Sequence, residues 1–89
     1  MIVTVEISHY PLTEEYENDI ISFISSLKKN DAILVISNAM STQVKGDYDD
    51  VVAQVFTGLK DIFRNGNMSS TVMKLIPRDL PIEDGTLDL

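Results

Sequence analysis

Ala32-Ile33-Leu34-Val35-Ile36-Ser37-Asn38-Ala39-Met40-Ser41-Thr42-Gln43-Val44-Lys45-Gly46-Asp47 is the stretch that decides the fold. A short, almost wholly apolar run over 32–36 is followed by a run of alternating character over 40–45. Only Ser37-Asn38-Ala39 separates them, so the two runs are predicted to be strands of one hairpin. Gly46 ends the second strand. Asp47 directly after it has the chemistry of a helix N-cap, with Asp50 three residues on in the position a capping box gives to a carboxylate.

Downstream, Val51, Val52, Val55, Phe56, Leu59, Ile62 and Phe63 recur at steps of three and four and predict one apolar helix face. Asn65-Gly66-Asn67 supplies a C-cap glycine. Ser70 to Ile76 reads as a last strand, with Val72, Met73, Leu75 and Ile76 apolar, and Pro77 stops it. Upstream, Ile2 to Tyr10 alternates: Val3, Val5 and Ile7 on one face, Thr4, Glu6, Ser8 and Tyr10 on the other. Pro11 ends that strand. Thr13 is placed to cap the next helix, whose first turns hold Glu14, Glu15, Glu17 and Asp19 and whose end holds Lys28 and Lys29, in keeping with the helix dipole. Its apolar stripe is Tyr16, Ile20, Phe23, Ile24 and Leu27, and Asn30-Asp31 is a turn.

The order is therefore β-α-β-β-α-β, two strand–helix units joined by a central hairpin. That is the ferredoxin-like α+β sandwich, a four-stranded antiparallel sheet with two helices on one face. Right-handed crossovers put the first and third strands in the middle of the sheet. The other face, carrying Thr4, Glu6, Ser8 and Tyr10, is left for another chain or a ligand. Residues 1–77 read as this one domain, and 78–89 as an irregular acidic tail.

With 89 residues the chain is a single domain, and a domain of this size buries roughly 60–65% of its unfolded surface, so it gains from a partner chain. The net charge is −7, and its basic residues are scattered, with only Lys28 and Lys29 adjacent. No basic footprint for nucleic acid or an anionic membrane is present. Without cysteine there is no disulfide, thiolate zinc site or cysteine nucleophile. The N-terminal residues do not read as a signal peptide, and no apolar run approaches the ~18 residues a membrane span needs, so the cytoplasm is the expected compartment.

Few residues carry chemistry. Asp47, Asp49 and Asp50 lack the calcium-loop pattern and read as an acid-rich helix start, so no metal site is expected. His9 is the single histidine. It is a general base at most in principle, and more simply a strand-end residue turned toward the helices at the edge of the core. Glu6, in the middle of a central strand, either faces solvent or meets a ligand cation or a partner lysine. Ser8, Tyr10 and Thr42 lie near the ends of adjacent central strands. They offer a flat ring and hydroxyls to a heteroaromatic ligand, or are ordinary strand composition. Met40 and Met73 line a pocket or fill core gaps.

Ile7-Ser8-His9-Tyr10-Pro11-Leu12 resembles the first-strand signature of the YkoF-like thiamine/hydroxymethylpyrimidine-binding family. Met40-Ser41-Thr42-Gln43-Val44-Lys45-Gly46-Asp47 resembles its hairpin strand and helix cap. The resemblance covers roughly residues 2–76. It implies a ferredoxin-like fold, homodimers or homotetramers, and binding of thiamine or its pyrimidine portion without catalysis or a cofactor, in salvage or transport. By position it implies Ser8, Tyr10, Met40 and Thr42 as ligand contacts. The family often has Gly-Pro where Asn38-Ala39 stand and an apolar residue at Gln43; Asn38 adds a polar group there. Glu6 would favour a thiazolium cation. The alternative is a structural or regulatory oligomerisation module without a ligand, and the third reading is a small enzyme using His9.

Overall fold

The structure, a computed structural model, describes residues 1–14, 16–66 and 68–83, with the side chain of Tyr16 outside the description. Its elements are β1 (Ile2–Pro11), α1 (Tyr16–Leu27), β2 (Leu34–Ser37), β3 (Thr42–Asp47), α2 (Tyr48–Phe63) and β4 (Ser69–Ile76). The sheet order is β2-β3-β1-β4, with every neighbouring pair antiparallel. This is the ferredoxin-like arrangement expected from the hairpin and the crossovers.

The alternation in β1 sets the layering. Val3, Val5 and Ile7 turn to the helices and are fully buried, together with Val44 of β3. Phe23 and Leu27 of α1 and Val51, Val55, Leu59 and Ile62 of α2 close over them to form one core. Burial of each such side chain contributes about 1.5–3 kcal/mol. The helices meet at Gly58, where a methyl group would lie 3.2 Å from Ser26 Oγ and 3.3 Å from the Phe23 ring. Asp47 caps α2 by accepting from the Asp49 amide at 3.2 Å. Gly66, at φ +78°, closes the chain after α2, and its N–H donates to the Phe63 carbonyl. Asn67 lies outside the described residues.

Several local expectations shift. Pro11 is the last paired residue of β1, opposite Ser69, because a strand terminus tolerates a missing N–H. The hairpin strands move along the chain: Met40 and Ser41 leave β3, and Gly46 and Asp47 join it, opposite Val3 and Ile2. The cause is Asn38. Its side-chain oxygen accepts from the amides of Met40 at 2.9 Å and Ser41 at 3.2 Å, and its own N–H donates to the Ser41 carbonyl. That turn holds Asn38–Ser41 out of the ladder. Phe56 and Phe63, assigned to the buried face of α2, are 56% and 52% exposed. Core filling stops at the side of the helix bearing Val51, Val55, Leu59 and Ile62. Met40, read as core filler or pocket lining, is 86% exposed at the hairpin tip, while Met73 packs against the core.

The described part of the tail folds back over the open sheet face. Thr4 Oγ1 donates to the Arg78 carbonyl at 2.7 Å and accepts from the Leu80 amide at 3.2 Å. Lys45 Nζ reaches the Leu80 carbonyl, Asp79 and Glu83, each at 2.8 Å. Thr4, placed by sequence on a bare face, is therefore only 5% exposed.

Candidate functional site

β1 outruns its neighbour. Its pairing with β3 ends at Ile7 opposite Thr42, while its pairing with β4 continues from Ser8 to Pro11. On the β3 side, Ser8–Pro11 therefore has no strand partner, and the Asn38–Ser41 turn stands across the gap. Ile20 and Phe23 of α1 close it from the helix side. The result is a cleft of about 270 Å³ lined by residues of β1, α1 and the hairpin turn.

The cleft brings together five of the six site residues expected from sequence: Ser8, Tyr10, Asn38, Met40 and Thr42. They come from different faces. Ser8 and Tyr10 point to the open side of the sheet. Thr42 is buried toward the helices, where its hydroxyl meets Ser37 Oγ at 3.1 Å. Tyr10 and Met40 form exposed rims of apolar character with one hydroxyl between them.

Glu6 is not in this group. It lines a second, shallower cleft of about 190 Å³ under the tail, with Thr4, Gln43, Lys74, Leu80 and Ile82. Its carboxylate accepts from Ser41 Oγ at 3.0 Å and lies 3.7 Å from Lys74 Nζ, the residue opposite it on β4. On the open sheet face the Glu6 side chain is partly exposed, and the cation it meets is the chain's own Lys74 rather than a ligand's or a partner chain's. Ser41 links this carboxylate to the main cleft, which Ser41 also lines. Besides the Thr4 hydrogen bonds, the tail beside it is held electrostatically. The Lys45 ammonium is stabilised chiefly by Asp79 and then by Glu83, which raises its pKa, and Lys45 in turn lowers that of Glu83.

Sequence reasoning left His9 outside the site, yet His9 lines the cleft. Its Nδ1 meets Thr71 Oγ1 at 2.8 Å, and its ring tilts against Phe23 at 5.9 Å between centroids. Burial lowers its pKa from the ordinary 6.5, with the nearby charge of Asp19 opposing the shift. The missed signal was the length mismatch between β1 and β3, which turns a core-edge position into a cleft wall. Among the described residues no cluster of histidine and carboxylate side chains could hold a metal ion. No helix among them is long and apolar enough to cross a membrane.

Fold and site together define a ferredoxin-like α+β domain with a small cleft where its first strand runs past β3. The chain belongs to the YKOF-related family, whose model matches residues 2–76. No curated protein matches it significantly. Similar solved structures include a hypothetical protein of Methanocaldococcus jannaschii, 24% identical, covering 88% of this chain and 81% of that one at TM-score 0.76. A Streptococcus pneumoniae protein is 14% identical, covering 96% and 97% at TM-score 0.82. A Thermotoga maritima protein provisionally assigned to thiamine biosynthesis or salvage is 16% identical, covering 96% and 95% at TM-score 0.77.

Proposed function

We propose that this chain binds thiamine or its hydroxymethylpyrimidine portion in the cleft at the end of β1, without catalysis, as a homo-oligomer serving thiamine salvage or transport. The carrying observation is the convergence of Ser8, Tyr10, Asn38, Met40 and Thr42 on one cleft of about 270 Å³. Small-molecule sites run from about 300 Å³ upward, so a cleft of this size suits one planar ring and leaves a second ring outside it. Tyr10 and Met40 offer apolar surface for the ring faces. The hydroxyls of Ser8 and Thr42 and the backbone of the turn offer hydrogen bonds to ring nitrogens and an amine.

Membership of the family and the thiamine assignment of the Thermotoga maritima protein support the ligand class. Glu6, already facing Lys74, contributes through Ser41 and at most weakly to a thiazolium lying outside the cleft.

Isothermal titration with thiamine and with hydroxymethylpyrimidine tests the proposal. Saturable heat that Tyr10→Ala and Met40→Ala weaken, with the fold intact because both side chains are exposed, supports it. No heat and no thermal shift at millimolar ligand overturns it.

A further inference from the structure

All seven basic side chains of the chain lie outside the lining of the main cleft. The histidine within it, His9, is driven by burial toward its neutral form. The backbone offers no anion site in their place. The amides of Met40 and Ser41 are donated to Asn38 Oδ1 at 2.9 and 3.2 Å. Ile20 and Phe23, the lining residues of α1, lie past its first turn, where N–H groups are spent within the helix. The hydroxyls of the lining are neutral, and that of Ser41 already donates to the Glu6 carboxylate at 3.0 Å.

Charge beside the cleft has the wrong sign for an anion. Glu6 and Ser8 are successive residues on the open side of β1, and opposite them on β4 stand Lys74 and Val72. Lys74 Nζ lies 3.7 Å from Glu6, so this cation is shared with a carboxylate rather than free for a ligand. Lys45, on the same face, is held by Leu80, Asp79 and Glu83. The whole chain carries −7. An anionic group entering here would shed its hydration without gaining a counter-charge.

We infer that the cleft selects the unphosphorylated members of its ligand class, and that Glu6 is a specificity residue whose charge turns away a phosphate borne on the ring's side chain. This rests on the binding reading above and adds to it the rejection of the phosphate monoester. Lys74 opposes Glu6 and sets how strongly its charge is felt.

Isothermal titration compares three compounds: hydroxymethylpyrimidine, its phosphate monoester, and the dimethyl ester of that phosphate, which is bulkier but uncharged. The monoester carries a charge of about −1.5 to −2 at neutral pH. The wild type is expected to favour the alcohol over the monoester by about tenfold or more. The dimethyl ester is expected to bind better than the monoester despite its size. Raising the ionic strength from about 0.01 M to about 0.15 M narrows the alcohol-to-monoester ratio, because screening shortens the reach of Glu6. Glu6→Gln, whose amide oxygen can still accept from Ser41, narrows that ratio by about threefold, and Lys74→Gln widens it by about the same factor. Equal or tighter binding of the monoester, a dimethyl ester rejected as strongly as the monoester, or a ratio that neither salt nor Glu6→Gln moves overturns the charge selection while binding stands. Binding of none of the three to the wild type removes the binding reading itself.

Discussion

Replacing Thr4 by Val is expected to loosen the tail where it meets the sheet at Leu80 while leaving the sheet intact. Thr4 Oγ1 makes two hydrogen bonds to the tail, one to the Arg78 carbonyl at 2.7 Å and one from the Leu80 amide at 3.2 Å. Each is worth about 1 kcal/mol net, so the pair contributes about 2 kcal/mol to docking. Valine keeps the branched shape and suits the strand, and the helix-side core does not contain this residue. Lys45, its side chain largely buried, still tethers the tail through its contacts to Leu80, Asp79 and Glu83, so the tail is loosened at Leu80 and not detached. The loss is therefore local.

Amide hydrogen exchange at Leu80 is the assay, because that N–H is bonded to the substituted hydroxyl. A loss of about 2 kcal/mol corresponds to roughly thirtyfold faster exchange. Thr4→Ser, which keeps the oxygen, is expected to stay close to wild type. Val5 and Val44, in the core strands, are expected to keep their protection in Thr4→Val. Unchanged exchange at Leu80 would refute the anchoring role. An equal fall at Leu80, Val5 and Val44 would show instead that Thr4 holds the sheet together.

Gly58→Val is expected to destabilise the fold by about 1–3 kcal/mol in urea, because the helices approach too closely there to admit a side chain. Asn38→Ala removes both side-chain bonds that shape the hairpin turn; titration is expected to show weaker binding of hydroxymethylpyrimidine, with a smaller change in the urea midpoint, since the turn is exposed and shapes the cleft. Stability is also expected to depend on pH through His9. The unfolded chain protonates near 6.5 and the folded ring only at lower pH, so the unfolded state binds more protons as pH falls through that window, and stability drops there until the folded ring protonates too. Urea titrations at about pH 7.5 and about pH 5.5 are expected to show a steeper loss in wild type than in His9→Gln; equal losses would mean the histidine is as free to protonate in the fold as out of it.

What the sequence made legible were the features set by local pattern. The alternation of Val3, Val5 and Ile7, the capping by Asp47 and the position of Gly66 act over a few residues, and each is where the pattern places it. The burial of Thr4 was hidden, because its partners at Arg78 and Leu80 lie at the far end of the chain and carry no local signal of their destination. Phe56 and Phe63 misled for the opposite reason: helical periodicity shows which residues share a stripe, not how far around the helix the sheet and α1 extend. Asp19 was legible only as one of the dipole-favoured acids in the first turns of α1; it is buried, with Asn65 Nδ2 donating to it at 3.4 Å from beyond α2.

The cleft itself follows from an offset between strands rather than from any motif. Strand lengths are read one at a time, whereas the cleft exists because β1 continues to Pro11 while β3 starts only at Thr42, opposite Ile7. Asn38 produces that offset by drawing Met40 and Ser41 into a turn, and the same turn places Met40 on the rim. Asn38 thus shapes the hairpin side of the cleft here. A chain with an extended hairpin in place of this turn would pair Ser8–Pro11 on both edges and fill the gap with backbone, so the cleft and the irregularity of the hairpin have one physical origin.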